Sequence, residues 1–183
     1  PVLEGIQAAK DAGLPFKINC VLMKDKNDDQ ILPMVKWSIA NHIALRFIEF
    51  MPFPGNRWKP GKLITETQIL QTISDHFGRI DKLEDGPNDT THKYQIAGHA
   101  GTFAIISTMS NPFCSGCNRI RLTADGKLRN CLFSKTETDL LTPFRAGHDI
   151  APLILDCIAG KHRELGGNTG AMWGLKETEE SRR

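Results

Sequence analysis

No stretch of this sequence reaches the roughly 18 consecutive apolar residues that a membrane-spanning helix needs. Arg46 and Glu49 interrupt even the strongest apolar run, IALRFIEFMPF, which excludes such a helix. Nor is there an excess of charge of one sign: 23 basic and 21 acidic side chains leave a net charge of +2. That balance lacks the electrostatic footprint of a general nucleic-acid binder, so any anion site has to be local. An export signal is missing too. The chain opens on Pro1 and continues as VLEGIQAAKDAG, with the period of an amphipathic helix and not the basic, apolar, small-residue order of a signal peptide. A chain that begins without Met inside a helical pattern is expected to be a piece of a longer protein, and the cytoplasm is its expected location. We find no internal repeat and no low-complexity tract.

What is present describes a folded chain. Its 183 residues, 24% charged and 40% hydrophobic, match soluble domains and not disordered tails. FKINCVLM, from Phe16 to Met23, reads as a strand, and Asp28 and Asp29 are placed to cap a helix through Ile31, Met34, Val35 and Ile39. Pro33 is tolerable there because it falls in the first turn. A second strand, LRFIEFM, runs from Leu45 to Met51 and ends in the loop PFPGNRWKPG. Strand, helix, strand order predicts parallel pairing in an α/β sheet or barrel. Beyond the loop, Thr65 to Phe77 reads as a helix, YQIAG and GTFAIIS as strands, and a β-rich segment follows. A last helix begins near Asp149 with Ile150, Leu153, Ile154, Cys157 and Ile158 on one stripe. From Gly160 onward periodicity is lost, and GGNTGAMWGLKETEESRR, residues 166–183, is expected as a loose tail.

The chemically informative stretch is NPFCSGCNRIRLTADGKLRNCLF, which spaces Cys114, Cys117 and Cys131 as Cys-x2-Cys-x13-Cys. Two cysteines two residues apart can turn both sulfurs toward one metal centre, with Gly116 easing the turn. A hairpin returns the third. With a three-residue loop, Ala124 to Gly126, Thr123 pairs with Lys127 and Arg119 falls opposite Cys131. One face then carries Arg119, Arg121, Thr123, Lys127, Arg129 and Cys131, and the other Ile120, Leu122 and Leu128. A two-residue Asp-Gly loop would mix apolar and basic residues on each face, so the three-residue loop is preferred.

Five cysteines in a chain without an export signal are read for metal before disulfides. Structural zinc ordinarily takes four protein ligands, and His99 is a candidate for the fourth. An iron–sulfur cluster also usually takes four thiolates, so three would leave one iron open, beside two arginines. Spacing alone leaves both open. Cys20 and Cys157 read as small core residues, and Trp37, Trp58 and Trp173 as packing residues.

PFCSGCNRIRLTADGKLRNCLF resembles the C-terminal cluster motif of the molybdenum-cofactor biosynthesis protein A family, the radical S-adenosylmethionine enzymes also called GTP 3′,8-cyclases. VLEGIQAAKDAG, KINCVLMKDKNDDQI and LRFIEFMPFPGNRW are similar to that family's second half, in the same order. The resemblance implies the C-terminal part of an incomplete TIM-like barrel over residues 1–60. A cluster and GTP-binding region over 61–160, with a β-rich part and a C-terminal helix, and a divergent or truncated tail over 161–183 would follow. In that family an N-terminal four-iron cluster splits S-adenosylmethionine into a 5′-deoxyadenosyl radical. The radical removes the ribose 3′ hydrogen of GTP, and the carbon radical attacks C8 of guanine. By this resemblance Cys114, Cys117 and Cys131 hold a second 4Fe-4S cluster with an open iron, and Arg119, Ile120 and Arg121 contact GTP. Lys17 and Arg46 face the triphosphate, and Met51 lies against S-adenosylmethionine. Implied partners are GTP, the missing N-terminal half of the barrel, a second copy in a homodimer, and a downstream pterin synthase. No membrane or nucleic-acid partner is implied.

Two departures stand out. The family's Cys-x3-Cys-x2-Cys motif does not occur in these 183 residues, so this chain alone is expected not to cleave S-adenosylmethionine. The double glycine that ends the family's chains also differs: Gly166 and Gly167 lie well before the terminal ESRR. The rival reading is a non-catalytic zinc module whose Arg119, Arg121, Lys127 and Arg129 grip RNA or another anionic partner.

Overall fold

The structure, a computed structural model, describes residues 1–99 and 101–168. The ESRR terminus, Trp173 and most of the tail therefore lie outside the described residues. The architecture is α/β, in two compact units interleaved along the chain. The first comprises Pro1–Met51, Gly61–Gly86 and Thr90–Asn111; the second comprises Pro52–Pro60, Pro87–Asp89 and the chain from Pro112 on.

In the first unit, helix α1 (Val2–Asp11) leads to β1 (Lys17–Leu22), α2 (Ile31–Asn41) and β2 (Ala44–Glu49). β1 and β2 pair in parallel with Lys17 opposite Ala44 and Asn19 opposite Arg46, as the strand, helix, strand order predicts. Helix α3 (Glu66–Phe77), β3 (Ile80–Lys82), β4 (His92–Ile96) and β5 (Thr102–Ile106) complete a five-stranded sheet ordered β1-β2-β5-β4-β3. β5 runs parallel to β2, and β3 and β4 are antiparallel to their neighbours, so the sheet is mixed.

Parity along the strands decides what each side carries. Leu22, Leu45, Phe47, Phe103 and Ile105 are buried in one core with Ile31 and Val35 of α2 and Ile69 and Ile73 of α3. The opposite side of β1 and β2 carries Lys17, Asn19, Val21, Ala44, Arg46 and Ile48, all exposed or half-buried. β1 thus alternates and is not the continuous buried run its composition suggests. Cys20 packs against the core as expected.

Two local expectations change. Asp28 and Asp29 do not cap α2: they wind into a 3-10 turn that precedes it, and the helix begins at Ile31 without a side-chain cap. Asn27 closes that loop, accepting from the Met23 amide at 2.8 Å and donating to the Val21 carbonyl at 2.9 Å. α3 is capped by a reciprocal Thr65–Gln68 box. β2 ends at Glu49 and not at Met51, because the Glu49 side chain turns the chain there. Fully buried, it accepts from the amides of Met109 at 2.8 Å, Ser110 at 2.9 Å and Glu66 at 3.1 Å, and from the Ser110 hydroxyl.

Glu66 anchors a second buried polar group. Its carboxylate accepts from the Tyr94 hydroxyl and bonds His92 Nδ1, each at 2.7 Å, and accepts from Ser107 Oγ at 2.8 Å and Asn111 Nδ2 at 3.2 Å. Burial pulls the Glu66 carboxyl up, but the hydrogen bonds from Tyr94, Ser107, His92 and Asn111 together hold it below the ordinary range.

In the second unit, β6 (Arg121–Leu122), β7 (Lys127–Arg129) and β8 (Thr138–Asp139) form a small antiparallel sheet, followed by α4 (Leu141–Arg145) and α5 (Ala151–Ala159). Leu128, Leu140 and Cys157 are buried together against Ile150, Leu153 and Ile154. Ile158, expected on the same stripe, is 45% exposed: it falls after Cys157 on the turn that leaves the sheet.

A carboxylate whose folded pKa is depressed stabilises the fold above its unfolded pKa, and that contribution is lost as pH falls through the folded value. Glu66→Gln is therefore expected to destabilise the chain by about 1–3 kcal/mol at neutral pH. In urea denaturation the gap to wild type should close as pH drops below the ordinary glutamate value of 4.5. A gap constant from neutral pH to strong acid would contradict the assignment.

Candidate metal centre

The cysteine segment folds locally. Cys114–Gly116 form a 3-10 turn closed by the Cys117 amide donating to the Cys114 carbonyl at 3.1 Å, which sets both cysteines on one tight turn. Gly116 is not what permits it. It lies outside the left-handed region, and a Cβ there would meet only ordinary contacts with Asn88.

The hairpin that returns Cys131 has the register expected from its turn. Arg121 pairs with Arg129 and Leu122 with Leu128. The Thr123 amide donates to the Lys127 carbonyl at 2.8 Å, and Gly126 takes φ +76° as the left-handed residue of a three-residue loop. The ladder is only two pairs long, so Arg119 and Cys131 lie beyond it and not as a strand pair. Leu128, in the central strand, is buried, whereas Ile120 and Leu122 are 44% and 68% exposed because β6 is an edge strand.

All three thiols are half-buried and close enough to feel one another's charge. Burial pushes Cys114 up, and the Cys131 and Cys117 thiolates add to that against a 3.5 Å hydrogen bond from the Leu165 amide to its Sγ. Burial also pulls Cys117 upward, but the Arg119 amide and the Lys161 ammonium, 3.4 Å from its Sγ, bring it below the ordinary thiol range. Among the described residues, no group of three or more His, Cys, Asp or Glu side chains is gathered closely enough to hold one metal ion. His99, the candidate fourth zinc ligand, belongs to the first unit and packs edge-on against Phe77 at 5.7 Å.

The basic hairpin face is largely paired. Lys127 binds Asp125 at 2.9 Å and Glu137 at 3.5 Å, and Arg129 binds Glu137. Arg119 lies 5.7 Å over the Phe113 ring and donates to the Asn88 carbonyl at 3.3 Å. Arg121 is exposed, and among the described residues it makes no ion pair. In the first unit, Lys17, Asn19 and Arg46 line one cavity of about 400 Å³ with Pro15, Phe16 and Ala44. Lys17 sits at the start of its strand, yet shares that sheet face with Arg46 by register. Met51 is half-buried, two residues past the end of β2.

The stretch after α5 carries no periodic signal. Residues 161–168 are folded, and with them the first three residues of the expected loose tail: Leu165 is 6% exposed, Asn168 donates to the Phe133 carbonyl at 3.2 Å, and Lys161 and Leu165 reach the cysteine sulfurs. No periodicity announces a segment whose role is to donate to other loops.

Residues 43–165 match the family model described as Molybdenum Cofactor Synthesis C. The chain belongs to this family. The match takes in Arg46, Met51, all three cysteines and Lys161, while Lys17 precedes it. Among curated relatives, the mitochondrial GTP 3′,8-cyclase of Arabidopsis thaliana is 40% identical over 149 residues, 81% of this chain and 38% of that protein. The GTP 3′,8-cyclase of Thermodesulfovibrio yellowstonii is 42% identical over 147 residues, 80% of this chain and 46% of that protein. Molybdenum cofactor biosynthesis protein 1 of Homo sapiens is 35% identical over 170 residues, 91% of this chain and 27% of that protein. The chain thus spans less than half the length of each of these relatives. No helix among the described residues is long and apolar enough to cross a membrane.

Gly126 combines a left-handed backbone with close packing: a Cβ there would lie 2.4 Å from Leu141 Cβ. Gly126→Ala is expected to cost about 2 kcal/mol or more, from the left-handed conformation and the clash together. Thermal unfolding should show the drop, whereas Gly98→Ala, with open space around it, should show only the backbone part.

Proposed function

We propose that this chain supplies the substrate-cluster portion of a GTP 3′,8-cyclase, acting in molybdenum cofactor synthesis. Cys114, Cys117 and Cys131 would hold a 4Fe-4S cluster, which supplies one iron without a protein ligand as a binding position for substrate. The observation that carries this reading is the convergence of three half-buried thiols with N–H donors aimed at two of their sulfurs. Such donors are the outer partners by which proteins stabilise thiolate ligands. Around a single zinc, with bonds of about 2.3 Å, three sulfurs crowd within about 4 Å of one another. A four-iron cluster spreads its thiolates over different irons and so needs no such crowding.

The chain's own residues would bind and orient the nucleotide. Arg121, with no acidic partner among the described residues, and Arg119 are the guanidinium groups beside the cysteine turn, suited to paired hydrogen bonds with phosphate or base. Ile120 lies between them and offers an exposed apolar contact. Lys17 and Arg46 present two further cations on one face of the first sheet, and we assign them to the triphosphate. Met51, just past the end of a parallel strand, is assigned to S-adenosylmethionine, since in barrels of such units chemistry collects at the C-terminal strand ends. We read β1, α2 and β2 as units of that barrel. The motif for the radical-generating cluster has to be supplied from outside these 183 residues. The neutralisation of Lys127 and Arg129 by Asp125 and Glu137 removes half of the basic face that an RNA-gripping zinc module would need.

Anaerobic reconstitution with iron and sulfide should give a brown protein holding close to four irons per chain. Cys131→Ala should lose most of that iron. GTP affinity of the reconstituted chain should fall about tenfold or more in Arg121→Ala, the loss of a charge-assisted contact. Stoichiometric zinc with no iron uptake and no GTP binding would refute the reading. S-adenosylmethionine cleavage by the chain alone would refute the need for an external radical-generating cluster.

A further inference from the structure

Lys161 follows α5 in a stretch of no sequence periodicity, yet its ammonium group is fully engaged. It donates to the Cys117 carbonyl at 2.7 Å, the Arg119 carbonyl at 3.1 Å and Cys117 Sγ at 3.4 Å. An ammonium has three N–H donors, and three acceptors from one loop meet them. The two carbonyls flank Asn118, so the side chain fixes the backbone that runs from the second cysteine into the arginine pair. The third contact places a full positive charge on a candidate cluster sulfur. A lysine serving only as a solvated surface charge would not be half-buried with all its acceptors drawn from the cysteine loop.

We propose that Lys161 is a positioning residue for the cluster: it holds Cys117 and Arg119 in register and sets the cluster's reduction potential through its charged hydrogen bond to Cys117 Sγ. This rests on the cluster reading given above. Hydrogen bonds to ligating sulfurs and nearby positive charge favour the reduced, more negative state of a cluster and raise its potential. The Leu165 amide donates to Cys114 Sγ in the same way, so the segment 161–165 serves two of the three sulfurs, but only Lys161 brings charge.

The test uses the full 183-residue chain reconstituted anaerobically, as wild type and as Lys161→Met, Lys161→Gln and Lys161→Arg. Iron content, the electron paramagnetic resonance spectrum of the reduced cluster and the midpoint potential are measured for each. The expected result is a cluster in all four, a more negative potential and altered spectrum in the Met and Gln variants, and recovery toward wild type in the Arg variant. Equal potentials and spectra across the series overturn the role of Lys161 while leaving the cluster reading intact. A wild type that takes up no iron overturns the cluster reading itself. Should Lys161→Met fail to fold or to hold iron, the Gln and Arg variants carry the comparison, and equal potentials in those two overturn the proposal.

Discussion

Ionising Cys114 beside two other half-buried cysteines is costly, and that cost is the constraint on which the cysteine segment of the second unit depends. Cys114 feels both other sulfurs, and burial makes its ionised form dearer still. The relief comes from N–H donors and one full positive charge delivered by residues 161–165. Their delivery depends on the small sheet: β7, buried through Leu128, is covered by α5, and α5 leads directly to Lys161. Packing of an apolar stripe thus determines where a cation reaches a sulfur. Asn130 reinforces the same joint by donating to the Cys157 carbonyl at 2.8 Å.

The first unit meets a similar difficulty with carboxylates. Glu49 is completely buried, a costly place for a charge unless hydrogen bonds compensate. The Met109 and Ser110 amides, the Ser110 hydroxyl and the Glu66 amide offset part of that cost, although burial still holds the Glu49 carboxyl above the ordinary range. One side chain thereby ties the end of β2 to the start of α3 and to the loop after β5. That loop continues through Asn111 into the cysteine segment, so the chain leaves the first unit from a pinned point. Ser107 and Asn111, both bound to Glu66, hold the rest of the loop.

Legibility followed distance along the chain. The β1–β2 pairing and the three-residue hairpin loop were readable because local apolar pattern and one left-handed glycine specify them. Glu49 and Met109 are 60 residues apart, and Lys161 and Cys117 are 44 apart. Neither contact leaves a periodic trace, and Glu49 read only as a polar interruption of an apolar run. The cysteines were found by spacing, whereas roles for Lys17, Arg46 and Met51 came from resemblance alone. The side of the sheet that Lys17 and Arg46 share emerges only from the register. β8 escaped because two residues carry no pattern.

Near-neutral net charge makes anion recognition a matter of which cations remain uncompensated. Lys62 binds Asp25, Arg79 binds Asp81, Lys82 binds Asp85, and on the hairpin Lys127 and Arg129 share Asp125 and Glu137. Exposed pairs of this kind add little stability. Among the described residues, Arg121 in the second unit and Lys17 with Arg46 in the first make no ion pair. Adding Lys127 and Arg129 as free charges would widen the positive patch and attract any polyanion. Pairing them away keeps the hairpin from presenting a broad positive patch.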